Sequence, residues 1–401
     1  MKLSKILPFL LAAMLSGFCI TAEYAIIKPT SHSTFIAKYG TGFFPYAWLA
    51  LLPLNFYFVK IYGQIVHKWG CMRTLLSTTL LSVAINLFSA FFLNKLFFLP
   101  FLLYIWKDVY ILLLFQQLWA IIHSTDLGGR QKSLYGILFG VSGMGTALSS
   151  LIPGYFAVNI GSDKLLLLAI PFSLALTASY ALLLKTRKKL SDGNLDIAPK
   201  KEPPKGGWKL LFESKTLKGI LALVVFMQIS ATLMEFHFHT HIQEAIPDPD
   251  LRTAYFGKLF SVISSISLFF HFIGTHFFVK FFGVQRAHQF VPLFLSVNMF
   301  SLILFPRFSL ISYNYGAIKS FDYSFFAIVK EMLYIPLTTE EKFQAKAIID
   351  VFAYRSSKAV ASFIVLLFPA SLLHLSLMTL FALWSVMVMT YLKPKTIQNY
   401  V

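Results

Sequence analysis

The residues of this chain that can do chemistry stand out because they interrupt apolar runs. Glu23 and Lys28 fall in one run, Lys107 and Asp108 in another, and Glu235 with His237, His239 and His241 in a third. Lys319, Asp322, Lys330 and Glu331 share a fourth run, and Asp350, Arg355 and Lys358 a fifth. A charge at the centre of a bilayer costs about 2.5 to 3.5 kcal/mol unless it meets a partner or a water-filled cavity. Ions in this number imply such a cavity. Lys107 can neutralise Asp108, and Asp350 a nearby cation, yet Lys28, Lys319, Lys330, Arg355 and Lys358 leave positive charge in excess. Surplus ammonium and guanidinium groups suit a polyanionic solute held by charge-assisted hydrogen bonds. Glu235, deep in its run, suits proton coupling or the pairing of a substrate-binding lysine.

Helical geometry groups these residues. At about 100° per residue, Lys319, Asp322 and Lys330 share one broad face, and Asp350 and Arg355 another. Charge pairing or coupling is therefore expected of Glu235, Asp322 and Asp350, and solute binding of Lys28, Lys319, Lys330 and Arg355. Residues His237, His239 and His241 alternate, so each is turned by about 200° from the last and the three do not converge on an ion. A partly solvated, histidine-rich helix end is expected there, with no metal. Tyr313, Tyr315, Phe321, Tyr323 and Tyr334 could stack on a base, but a chain with 43 Phe and 18 Tyr puts aromatics near any site. No cofactor fingerprint is present, and Walker, dinucleotide and nucleophile-elbow patterns are absent, so no enzyme activity is expected.

The elements that must carry these residues are long and apolar. The mean hydropathy is +0.69, with 57% hydrophobic and 13% charged residues. Continuous Leu-, Phe- and Ile-rich runs of about 20 residues predict membrane-crossing helices, not the alternation of barrel strands. The chain reads as an all-α membrane protein with twelve transmembrane helices in two six-helix halves. Spans are expected near 6–28, 42–63, 71–94, 97–123, 132–160 and 163–184, then 216–240, 254–280, 286–306, 309–334, 344–369 and 371–393. The halves are 1–184 and 216–401, and the polar, Lys-, Pro- and Gly-rich stretch 185–215 is a cytoplasmic linker. The start, MKLSKILPFLLAAMLSGFCITA, is read as the first helix and not as a cleavable signal, because its removal leaves an odd span count. Cys19 and Cys71 make no disulfide framework.

Basic residues stay on the cytoplasmic side of short loops. The linker, HKWGCMR (67–73), KFFGVQR (280–286), GGRQK and the KPK tail all fall on one side, placing both termini in the cytoplasm of a cell whose inner membrane the protein spans. IPDPDLR, with Asp248 and Asp250, lies opposite. The net charge of +18 is thus a topological address, and nucleic-acid binding is not expected. The partners expected are the lipid bilayer and a small solute, with the protein a monomer.

GQIVHKWGCMR after the second span and GTHFFVKFFGVQR after the eighth echo each other. Such parallel repeats of six resemble the major facilitator construction, with His67 where that superfamily's loop motif has an Asp. Gating contacts on the cytoplasmic side are expected from Gly63, Lys68, Arg73, Lys280 and Arg286. The fifth span, YGILFGVSGMGTALSSLIPG, carries Gly136, Gly140, Gly143 and Gly145, a spacing that lets helices approach closely.

KEMLYIPLTTEEKFQAKAIIDV (330–351) resembles a segment of the nucleotide transporter family, the ATP/ADP translocases of obligate intracellular bacteria and plastids. AIKSFDYSFFAIVKEM, LMEFHFHTHI and the stretch DVYILLLFQQLWAIIHST continue the likeness more weakly. The resemblance implies that Lys330 is the family's essential lysine, Glu235 its essential glutamate, Lys319 the basic residue ahead of the Tyr-Ser pattern, and Lys28 the first-span lysine. It implies a transporter of nucleotides, by antiport against a counter-nucleotide or with a proton, through alternating access. Two departures are plain: Ile121 or Ile122 stands where the family has a fourth-span Glu, and Arg355, Ser356, Ser357 and Lys358 replace a Gly-Lys-Ser-Gly pattern. The alternative is a transporter of another anionic or cofactor-like metabolite.

Overall fold

A computed structural model describes residues 3–123, 125, 131–190, 211–334, 348–369 and 372–391. Among them every regular element is helical and no strand occurs. The first seven helices are α1 (Leu3–Tyr39), α2 (Phe44–Trp69), α3 (Cys71–Phe92), α4 (Leu99–His123), α5 (Gln131–Ser149), α6 (Leu151–Ile160) and α7 (Leu165–Leu190). There follow α8 (Lys215–Ala245), α9 (Pro249–Phe269), α10 (Thr275–Leu304), α11 (Phe308–Phe321), α12 (Ala327–Met332), α13 (Tyr354–Leu367) and α14 (Leu373–Tyr391). Three π-helical turns, Phe270–Gly274, Asp322–Phe326 and Ile348–Ala353, join or precede the later helices. Much of the linker 185–215, the loop 126–130 and the turn TTEEKFQAK lie outside the described residues.

The ends of two elements differ from the expected spans. Helix α1 continues past 28 to Tyr39 through the polar stretch PTSHST. Its hydroxyls bond back onto the helix, Thr30 to the Ile26 carbonyl (3.3 Å), Ser31 to Lys28 (2.9 Å) and Thr34 to Thr30 (2.8 Å). Backbone-bonded hydroxyls let a polar run stay helical and buried. Between Pro249 and Leu304 a single non-helical residue separates two helical stretches and makes the turn expected over 280–286. That residue is Gly283, at φ 79° and ψ 164°. Gly70, between α2 and α3, has φ 78° and ψ 163°. The two members of the sequence echo share one backbone conformation, in a region almost closed to residues with a Cβ.

This separates the glycines of the motif. Gly63, the motif's first glycine, has open space where a Cβ would stand. Replacing Gly70 or Gly283 by Val is expected to lower stability by about 1–3 kcal/mol each, whereas Gly63→Ala leaves it level or raises it. Thermal unfolding of the detergent-purified variants measures the difference.

The helices form two compact units, one of Met1–Gly40, Pro53–Pro199 and Ile246–Ser265, the other of Thr41–Leu52, Lys200–Ala245 and Ile266–Val401. In the first, α1 is the central strut and packs on α7, α5 and α4. Gly145 of α5 permits this: a Cβ there would lie 2.6 Å from the Phe18 carbonyl oxygen. Thr21 of α1 donates to the Ser142 carbonyl at 2.6 Å, and Ser16 meets Ser179 of α7 at 3.0 Å. Phe9, Ala13, Leu118, Ile121, Ile122 and Tyr180 build the apolar core around it. In the second unit α8 is central, against α13, α14 and α11. Phe238 of α8 stacks on Tyr315 of α11 with ring centroids 4.3 Å apart and planes at 5°.

Candidate functional site

In the second unit two irregularities meet. Glu235 lies in the middle of α8, and Lys319 in the last turn of α11, where the helix widens into the π turn Asp322–Phe326. A π turn inserts an extra residue into the helical register and recurs at functional sites because it re-aims side chains. Lys319 Nζ donates to Glu235 Oε2 at 2.8 Å, with the lysine 8% and the glutamate 5% exposed. Two turns back along α8, Gln228 Nε2 donates to Asp322 Oδ1 at 2.7 Å. Asp322 Oδ2 is buried with no hydrogen-bond partner among the described residues. The rings of Tyr315 and Tyr323 lie 5.9 and 6.0 Å from Lys319 Nζ.

The structure thus brings together Glu235 and Lys319, and ties Asp322 to the same helix through Gln228. Lys330, in α12, is 3.4 Å from its neighbour Glu331 and 5.9 Å from the Tyr334 ring. Arg355 is half-buried in α13, and Lys358 Nζ stands 5.0 Å over the ring of Trp48. Asp350 falls in the π turn Ile348–Ala353, and its side chain lies outside the described residues. Gly63, Lys68, Arg73, Lys280 and Arg286 are all exposed, on the helices that flank the turns at Gly70 and Gly283.

The first unit carries its own polar interior. Glu23 of α1 is fully buried and accepts from the Tyr110 hydroxyl (3.0 Å) and Ser82 (3.4 Å). Lys107 pairs with Asp108 at 2.9 Å, as their adjacency suggested, and Tyr24 donates to the same carboxylate at 3.1 Å. Lys107 is 2% exposed, with its ammonium 4.0 Å over the Tyr104 ring. Lys28 lies 4.3 Å over the Phe260 ring and 5.7 Å over Tyr24, half-buried in α1.

Two expectations change. His237 and His239 are 3% and 0% exposed, so the histidine-rich stretch is interior and not partly solvated; only His241, near the helix end, is half-buried. The loop IPDPDLR supplies an interior cation. Asp248 accepts from the amides of Asp250 (3.0 Å) and Leu251 (2.8 Å), which starts α9 and puts Arg252 one turn inside it. Arg252, 1% exposed, donates to the Ser33 carbonyl (2.9 Å), the Ser33 hydroxyl (3.2 Å) and the Ile246 carbonyl (3.2 Å). The Asp-Pro-Asp pattern is a helix start, and that signal would have placed Arg252 in a helix.

The long apolar helices and their arrangement define a class, a multi-pass membrane protein with the major facilitator fold. Solved structures with a similar fold include the xylose transporter XylE from E. coli, TM-score 0.65 at 12% identity over 97% of this chain and 98% of that one. The nucleoside transporter NupG matches with TM-score 0.68 at 11% identity over 96% and 100%. Residues 200–397 match the TLC ATP/ADP transporter family, the same one that the 330–351 motif resembles. Curated relatives include "ADP,ATP carrier protein 1" of Rickettsia bellii, 26% identical over 66% of this chain and 60% of that protein. "ADP,ATP carrier protein 1, chloroplastic" of Arabidopsis thaliana is 32% identical over 38% of this chain and 28% of that one. The chain thus spans about 60% of the length of the rickettsial relatives it matches.

Proposed function

We propose that the protein moves nucleotides or other phosphorylated nucleotide-like anions across a bacterial inner membrane, by exchange against a counter-nucleotide or with a proton. The observation that carries this is the buried Lys319–Glu235 pair at 2.8 Å, inside the segment that matches the TLC ATP/ADP transporters. A buried pair is a poor source of stability, since desolvation offsets most of its Coulomb energy. It is useful where one partner must change hands: an entering phosphate takes Lys319, and Glu235 is released to take a proton or wait for the next lysine contact. Lys28, Lys330 and Arg355 are proposed to hold further phosphate oxygens, and Asp322 and Asp350 to balance the cations when no anion is present.

The proposed architecture is twelve spans in halves 1–184 and 216–401 with linker 185–215, both termini cytoplasmic, working as a monomer by alternating access. Gly63, Lys68, Arg73, Lys280 and Arg286 border the cytoplasmic turns as gating positions. A second reading, transport of a different anionic metabolite, is favoured by Ile121 and Ile122, which are core residues of the first unit in place of a fourth-span carboxylate.

The test is uptake of labelled nucleotides by intact cells expressing the chain, with unlabelled competitors. Saturable uptake suppressed by excess nucleotide and by no neutral sugar is expected. Uptake of a non-nucleotide anion alone selects the second reading, and saturable uptake of an uncharged solute alone contradicts both.

A further inference from the structure

His237 and His241 are four residues apart on α8 and therefore on one face of the helix, unlike the alternating set His237, His239 and His241. His239 faces elsewhere, stacked on Phe44 with centroids 4.3 Å apart. The third ring on the shared face comes from a distant part of the chain: His374, at the start of α14. Its centroid is 4.4 Å from that of His237, which is itself 4.3 Å from that of His241. We propose that His237, His241 and His374 bind a borderline divalent transition-metal ion, of the Zn2+, Ni2+ or Cu2+ class, bridging the C-terminal end of α8 and the N-terminal end of α14.

The hydrogen bonding favours ligation. His241 Nδ1 lies 2.9 Å from the His237 carbonyl oxygen. A carbonyl only accepts, so Nδ1 carries the proton and Nε2 keeps its lone pair, the arrangement seen in ligating histidines. His237 is 97% buried by its 3% exposure, and its Nε2 has no hydrogen-bond partner among the described residues. A buried ring nitrogen left without a partner is costly, and a metal ion satisfies it. The ring nitrogens of the three residues do not converge to ligand spacing as the rings stand, so His241 and His374, both half-buried, turn about their side-chain torsions to complete the set. Neutral imidazoles select Zn2+, Cu2+ or Ni2+ over Mg2+ and Ca2+, which prefer oxygen. Three imidazoles leave a fourth position to water in a tetrahedral site.

The test uses full-length protein purified without a polyhistidine tag and stripped with chelator, titrated with Zn2+ against a chromophoric competitor, and separately with Co2+ for its visible absorption. One ion per chain and an intense tetrahedral Co2+ band are expected. Each of His237→Gln and His374→Gln should weaken binding by at least about tenfold and lose that band, while His276→Gln changes neither. Binding by the wild type no tighter than by the triple variant H237Q/H241Q/H374Q overturns the proposal. So does Cu2+ bound to the wild type with fewer than three imidazole nitrogens by paramagnetic resonance, a readout that needs no variant to fold.

Discussion

Lys319→Met is expected to reduce nucleotide transport at least about 30-fold and to destabilise the protein by about 3–5 kcal/mol, the second effect reversed by adding Glu235→Gln. The first figure is the loss of one desolvated, hydrogen-bonded charge contact, about 2 kcal/mol or more. The second arises because the methionine leaves a 5%-exposed carboxylate with its nearest cation removed, and an uncompensated buried charge costs more than the pair contributed. With Glu235→Gln as well, both charges are gone and the site is neutral and packed, so thermal unfolding in detergent should return toward the wild-type midpoint while transport stays lost. That dissociation of stability from transport distinguishes a working lysine from a structural one. Full transport in Lys319→Met would remove its assigned role, and a double variant as unstable as the single one would show that the pair is a structural clasp.

Gly257→Leu is expected to destabilise the first unit by about 3 kcal/mol, the upper part of the overpacking range. A Cβ at Gly257 of α9 would stand 2.5 Å from the Gly154 amide nitrogen, 2.7 Å from the Ser150 carbonyl oxygen and 2.9 Å from Gly154 Cα. All three are backbone atoms, so no rotamer change relieves the contact, and α9 must leave α6. That separation also breaks Ser261 Oγ to the Ala147 carbonyl (2.7 Å), Ser162 to Thr253 (2.8 Å) and the Ser162 amide to Asp250 (2.7 Å). The control is Gly42→Ala, whose Cβ position meets nothing within 4 Å. Unfolding midpoints and limited proteolysis of the two variants report the difference; equal midpoints would show that the close approach carries no stability.

The helical, apolar character of the chain and several of its interior ions were readable because both rest on strong physics: long apolar runs have few folded options in lipid, and each ion within one demands a reason. Glu235 and Lys319 were placed in interior helices from the sequence, and they meet. Which of the lysines Glu235 pairs with was not readable, since it depends on how α8 and α11 pack, and helical spacing within one run carries no information about the next. The basic turns of the two repeats are legible in the sequence, but that Gly70 and Gly283 and not Gly63 make them is not, because positive φ is a property of the turn's geometry and not of its charge. Arg252 had no assigned role in the sequence, where IPDPDLR stands out only for Asp248 and Asp250; its acceptors, the Ser33 carbonyl above all, come from a helix some two hundred residues earlier. His374 escaped for the same reason. Long-range contacts that bring one residue to a distant helix leave no trace in local spacing.

The most direct measurement is nucleotide flux in proteoliposomes holding only this chain. Vesicles loaded with unlabelled nucleotide, or bearing an inward proton gradient, should take up labelled nucleotide saturably, and vesicles reconstituted with Lys319→Met/Glu235→Gln, folded but without the pair, should not. Saturable uptake of an uncharged solute with no uptake of any nucleotide under either driving force would contradict the account.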